Sequence, residues 1–135
     1  MPKAGQILYH KNFIFTDGST GSKLVVVLNT GDNNETSLVL KTTSQTMRYS
    51  YTTPGCNSRK GVFCIFEECE QGFSQDTYVQ MDNIYPINVE QLLNSKEVSF
   101  VDHLSDVCFT NLKRCLRNFR NDIPQQYWTI IYSSK

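Results

Sequence analysis

Long apolar runs, net charge, paired cysteines and histidines are what this sequence lacks, and each shortage excludes something. Without about 20 consecutive apolar residues there is no membrane-spanning helix. The opening Met-Pro-Lys-Ala-Gly-Gln carries no apolar stretch of the kind a signal peptide needs. A cytoplasmic protein with no membrane partner is therefore expected. The 13 basic residues cancel the 13 acidic ones, which disfavours a protein that coats nucleic acid through net charge, while leaving room for a local basic groove. Five cysteines (Cys56, Cys64, Cys69, Cys108, Cys115) show no C-x-x-C pair, whereas zinc sites normally draw four ligands from tight pairs, and only two histidines are available to help. Reduced structural thiols are expected, with no metal and no cofactor. Cys56, in Pro54-Gly55-Cys56, reads as the most exposed of them. Repeats, low-complexity tracts and linkers are also missing, so the 135 residues read as one domain.

What the chain does have is a pair of short Val- and Leu-rich runs. Lys23-Leu-Val-Val-Val-Leu-Asn29 and Ser37-Leu-Val-Leu-Lys-Thr-Thr-Ser44 are each bounded by turn residues, as strands buried on both faces are. Pairing them antiparallel across the Gly31–Asn34 loop sets Lys23 beside Thr42, Thr43 and Ser44. A cation next to several hydroxyls is suited to holding a phosphodiester.

Around these two runs the pattern is mainly β. Gly5–His10 and Phe13–Phe15 read as short strand pieces, followed by a turn at Asp17–Gly21, where Asp-Gly is a hairpin signal. A loop from Gln45 to Gly61 precedes strands at Val62–Phe66 and Thr77–Met81. Asn88 with Gln91 three places on suggests a brief helix through Leu93, and Glu97–Val101 a further strand. Leu104, Cys108, Leu112, Cys115, Leu116 and Phe119 recur at helical spacing, predicting one long helix over about 105–120 that ends before Pro124. Lys113, Arg114, Arg117 and Arg120 cover its other side. The tail, Tyr127-Trp-Thr-Ile-Ile-Tyr132, is rich in β-formers and predicts a strand. A small β-barrel with one C-terminal helix follows from this order: barrel over about 5–103, helix over about 105–120 and an extra tail at 124–135.

The order of elements resembles the MazF/PemK family of plasmid-maintenance toxins. The matching pieces are Gly5-x-Ile-Leu8, the Gly-rich turn at Asp17–Gly21, and Lys23 leading into an apolar strand. Thr43-Ser44 at the end of the next strand, Thr77–Met81 running into Asp82-Asn-Ile-Tyr85, Leu92-Leu93, and the helix after His103-Leu104-Ser105 complete the series. The resemblance spans about residues 5–120 and rests on order and spacing rather than on any one motif. It implies an SH3-like barrel of the MazF/PemK/CcdB type, dimeric, that cleaves single-stranded RNA without a metal and is neutralised by an antitoxin protein. The family's catalytic arginine falls at Lys23, a departure that exchanges a planar fork for a rotatable point charge. Its threonine and serine fall at Thr43 and Ser44.

Metal-free RNA cleavage uses the 2′-hydroxyl as nucleophile. It needs a base at that hydroxyl, a proton donor at the leaving 5′-oxygen and positive charge on the non-bridging oxygens. Lys23 is the candidate for charge and proton, Thr43 and Ser44 for orienting the phosphate, and His10, Asp17 and Asp76 for the base. Asp17, Thr42, Arg48, Tyr49, Tyr51 and Arg59 are the candidate RNA-binding residues, since the loop interleaves cations with rings that suit stacking on unpaired bases. By residue type alone, Lys23 also fits a solvated strand-end lysine, Thr42–Ser44 plain β-formers, and His10 a structural histidine. A non-catalytic RNA- or protein-binding module on the same barrel, or a gyrase-poisoning toxin, are the alternatives.

Overall fold

The computed structural model describes residues 3–15, 17–30, 36–44, 53–65, 76–81, 83–88 and 96–133. The strands are β1 (Gln6–Ile14), β2 (Thr20–Val27), β3 (Thr36–Thr43), β4 (Gly55–Asn57), β5 (Val62–Ile65), β6 (Thr77–Gln80), β7 (Tyr85–Asn88) and β8 (Val98–His103). Two helices follow, α1 (Asp106–Leu116) and α2 (Gln125–Ser133), joined by a 3-10 turn over Arg117–Asp122. The strands form one open antiparallel sheet in the order β4-β5-β6-β3-β2-β1-β8, with β7 on β3 beside β6.

The Asp17–Gly18 turn closes the β1–β2 hairpin as expected. Gly18 takes a φ of +88°, and Asp17 Oδ1 accepts hydrogen bonds from the Ser19 amide (2.9 Å) and hydroxyl (2.6 Å). The two strand pieces expected before it are one strand, broken only by a register shift between His10 and Phe13. At that shift the Lys11 amide turns to the Glu97 carbonyl at the start of β8.

The paired apolar runs behave as their composition dictates. Val25–Val27 and Leu38–Leu40 are buried, and the register sets Val25 opposite Lys41 and Val27 opposite Val39. Buried Asn29 closes the far end, accepting from the Leu38 amide at 2.7 Å and donating to the Thr36 carbonyl. β3 carries β2 along one edge. Along its other edge it carries β7 at Thr36–Val39 and β6 at Thr42–Thr43. β7 was not foreseen, and Asn88, expected to cap a helix, is its last residue; the brief helix itself falls largely outside the described residues.

α1 begins where Ser105 Oγ accepts the Cys108 amide, and its Leu112, Cys115 and Leu116 are buried, as the spacing predicts. Gly5 lies against it: its φ of +88° favours glycine, and a Cβ there would make ordinary contact with the Phe109 ring at 3.5 Å. The tail corrects the sequence reading. It is helical, because Pro124 supplies a first-turn carbonyl accepting the Tyr127 and Trp128 amides, and the helical spacing buries Ile131 fully. β-propensity lost to packing there.

The cysteine expectation also falls. Cys56 and Cys115 form a disulfide tying β4 to α1, their Cα atoms 5.4 Å apart although 59 positions separate them in sequence. Cys64 and Cys108 take no part in this disulfide, and Cys69 lies outside the described residues. No described helix is long and apolar enough to cross a membrane.

Candidate functional site

The β2–β3 ladder stops at Val25–Lys41, and beyond it the strands are linked by a side chain: the Thr42 hydroxyl donates to the Leu24 carbonyl at 2.8 Å. On the other edge of β3, Thr43 pairs with Tyr78, which brings Thr77 alongside. A cavity of about 460 Å³ opens at this end of β3, lined by Tyr9, Ser22, Lys23, Leu24, Thr42, Thr43, Ser44 and Thr77. Antiparallel pairing thus gathers Lys23, Thr42, Thr43 and Ser44 at one place, as the two runs predicted.

Thr42 and Thr43 are buried, Ser44 is exposed and Lys23 is half-buried. Lys23 Nζ stands 5.9 Å from the centroid of the Phe15 ring, and Lys41 Nζ stands 5.4 Å from the same ring and 6.0 Å from that of Tyr85. Two ammonium groups therefore stand within cation–π reach of one ring beside the cavity. Hydroxyls from Ser22, Thr42, Thr43, Ser44 and Thr77 and the phenol of Tyr9 supply donors and acceptors around the space.

The other expected residues stand apart. His10 is the register partner of Lys23 yet does not line the cavity; its ring meets Phe13 edge-on at 5.7 Å. Its Nδ1 is buried with no hydrogen-bond partner among the described residues, and burial draws its pKa below the ordinary value of 6.5, against the opposing charge of Glu97. Asp17 Oδ1 is engaged in its turn. The Ser19 hydroxyl and amide hold its carboxyl below the usual carboxylate range. Asp76 precedes Thr77 but does not line the cavity, and Arg59 is exposed in the short 3-10 turn over Ser58–Lys60. Arg48, Tyr49 and Tyr51 lie outside the described residues. Among the described residues no three His, Cys, Asp or Glu side chains come together to hold a metal ion.

Sequence reasoning missed Tyr9, Ser22, Leu24, Thr77 and Lys41. Counting back from the Asp17–Gly18 turn would set Tyr9 opposite Leu24, the observed register, only once the bulge after His10 is allowed for. Thr77 has no local signal, since it arrives through the long-range β3–β6 pairing. No family model matches the chain, and no curated protein is significantly similar to it.

Proposed function

We propose that the cavity binds a phosphodiester of single-stranded RNA and that the protein is a metal-independent endoribonuclease of the MazF/PemK toxin kind, acting in the cytoplasm. The observation that carries this reading is the convergence of Lys23, Thr43 and Ser44 on one cavity at the end of β3. Lys23 supplies positive charge to the non-bridging oxygens and a proton to the leaving 5′-oxygen, reaching the substrate by rotation of its flexible stem away from Phe15. Thr43 and Ser44 orient the phosphate; the 2′-hydroxyl attacks phosphorus and loses its proton to solvent water, and the 5′-oxygen leaves with the proton from Lys23, so that a 2′,3′-cyclic phosphate remains. Tyr9 offers a ring for an unpaired base. An SH3-like barrel, a homodimer and an antitoxin that covers the same cavity belong to this reading. β3, which serves β2, β6 and β7, is consistent with a sheet curled toward such a barrel.

Incubating the purified protein with a long unstructured RNA in EDTA tests the proposal. Discrete cuts with cyclic-phosphate ends are expected, and Lys23→Ala should lower their rate by roughly a hundredfold or more, the loss usual for a group stabilising transition-state charge. Unchanged cutting by the variant removes Lys23 from the mechanism. A second reading is favoured by one observation: His10, Asp17 and Asp76, the candidate bases, do not line the cavity. On that reading the protein grips RNA without cutting it, and the folded wild type protects the RNA.

A further inference from the structure

A second concentration of positive charge lies on the helical layer. Lys113, Arg114, Arg117 and Arg120 follow one another along the end of α1 and the 3-10 turn, in a chain whose charges cancel overall. Among the described residues, no carboxylate forms an ion pair with any of the four. Aromatic rings hold three of them in place. The Arg117 guanidinium carbon lies 4.3 Å from the Tyr132 ring centroid, and that of Arg120 lies 4.2 Å from Trp128. Lys113 Nζ stands 5.4 Å from Tyr132, whose hydroxyl donates to the Lys113 carbonyl at 2.6 Å. Trp128 and Tyr132 themselves pack with centroids 4.3 Å apart.

A guanidinium lying on a ring keeps its N–H edge outward, the geometry that grips a phosphate at two points. The ordering cost of two long side chains is met before any ligand arrives. Like charges are meanwhile crowded together: burial first, and then the neighbouring Arg117, draw the Lys113 pKa below its ordinary value. A bound anion relieves that repulsion. Arg117 and Arg120 are exposed whereas Trp128 and Tyr132 are half-buried, so the surface presents charge outermost rather than an apolar wedge for a bilayer.

The end of α1 packs on the face of the sheet to which Thr42 and Leu24 of the cavity belong, the face opposite Lys23 and Thr43. The disulfide and the Asn118 amide fix the end of α1 at Cys56. Cys56 pairs with Phe63, Phe63 with Val79 and Val79 with Thr42, and cross-strand partners share a face. Three strand spacings place Cys56 about 14 Å from Thr42 at the cavity. A few nucleotides span such a distance.

We propose that Lys113, Arg114, Arg117 and Arg120 form a second phosphate-binding track, which holds the backbone of a single-stranded RNA whose neighbouring segment occupies the Lys23–Thr43 cavity. The inference rests on the reading of that cavity as an RNA site. The track contributes length-dependent, salt-sensitive binding.

The test is a titration of labelled 2′-O-methyl RNA strands, which cannot be cleaved, of about four and about twelve nucleotides. Arg117→Gln/Arg120→Gln should weaken the longer strand roughly tenfold and reduce the slope of log affinity against log salt by about 1.4, or about 0.7 per cation, with the short strand unaffected. Arg117→Lys/Arg120→Lys, which keeps both charges, should retain most of the slope. An unchanged longer strand, an equal loss for both lengths, or binding to phosphatidylserine vesicles in place of RNA overturns the track. Lys23→Ala separates the two readings. If it binds both strands as the wild type does while the arginine variant loses the longer one, the cavity reading fails and the cationic surface stands as an RNA site by itself. If it abolishes cleavage while the arginine variant binds normally, the track fails and the cavity stands.

Discussion

Ile7, Val26, Leu28, Leu38 and Leu40 look toward α1 and α2, whereas Leu8, Val25, Val27 and Val39, their neighbours in sequence, look away toward Phe13, Phe15 and Tyr85. The first face is closed by helices and shares a continuous core with Leu112, Leu116 and Ile131. The second has a small cluster, with the ammonium groups of Lys23 and Lys41 set over its rings. Both faces come from the same alternating strands, so what separates them is the covering layer. The cavity lies where the two meet. Thr42 and Leu24 belong to the helical side and Lys23 to the other, so adjacent residues deliver hydroxyl and cation from opposite faces of one strand pair.

Truncating the core on each face should break this contrast most sharply. Leu116→Ala, fully buried beneath the helices, should cost about 2–5 kcal/mol in urea denaturation. Val39→Ala, in the smaller cluster among the described residues, should cost less, and equal losses would erase the distinction. Next in size is the staple that holds the helical layer. Opening the Cys56–Cys115 bond with dithiothreitol should remove about 2–4 kcal/mol, read as a lower denaturation midpoint that Cys56→Ser/Cys115→Ser reproduces without reductant.

The smallest effect belongs to His10 on the second face. Its folded pKa lies below 6.5, so the unfolded chain takes up the proton first. The stability this histidine contributes is present above pH 6.5 and is lost as the pH falls from there through the lowered folded value. A denaturation midpoint followed over that window should decline less in His10→Asn than in the wild type, and identical slopes would assign the pH response elsewhere.

Much of this architecture is legible in the sequence because it is local or periodic. The runs at 24–28 and 38–40, the Asp17–Gly18 turn and the stripe from Leu104 to Phe119 all carry their own signal. Antiparallel pairing of the two runs also sets Lys23 near Thr43 without further information. The rest depends on distant partners. Tyr127–Tyr132 is composed like a strand, and only the core that receives Ile131 selects the helix. Nothing near Cys56 marks Cys115 as its partner, and Thr77 reaches the cavity only through β6.

The placement of β3 has a consequence for how the molecule opens. Its backbone is bonded along one edge to β2 and along the other, in succession, to β7 and β6. Each β3 amide is bonded to one neighbour only, so parting one edge releases the amides on that edge, and the whole strand is freed only when β2, β6 and β7 have all parted. The strand that ends in Thr42 and Thr43 is therefore expected to be among the later of the described strands to open, and one wall of the cavity with it.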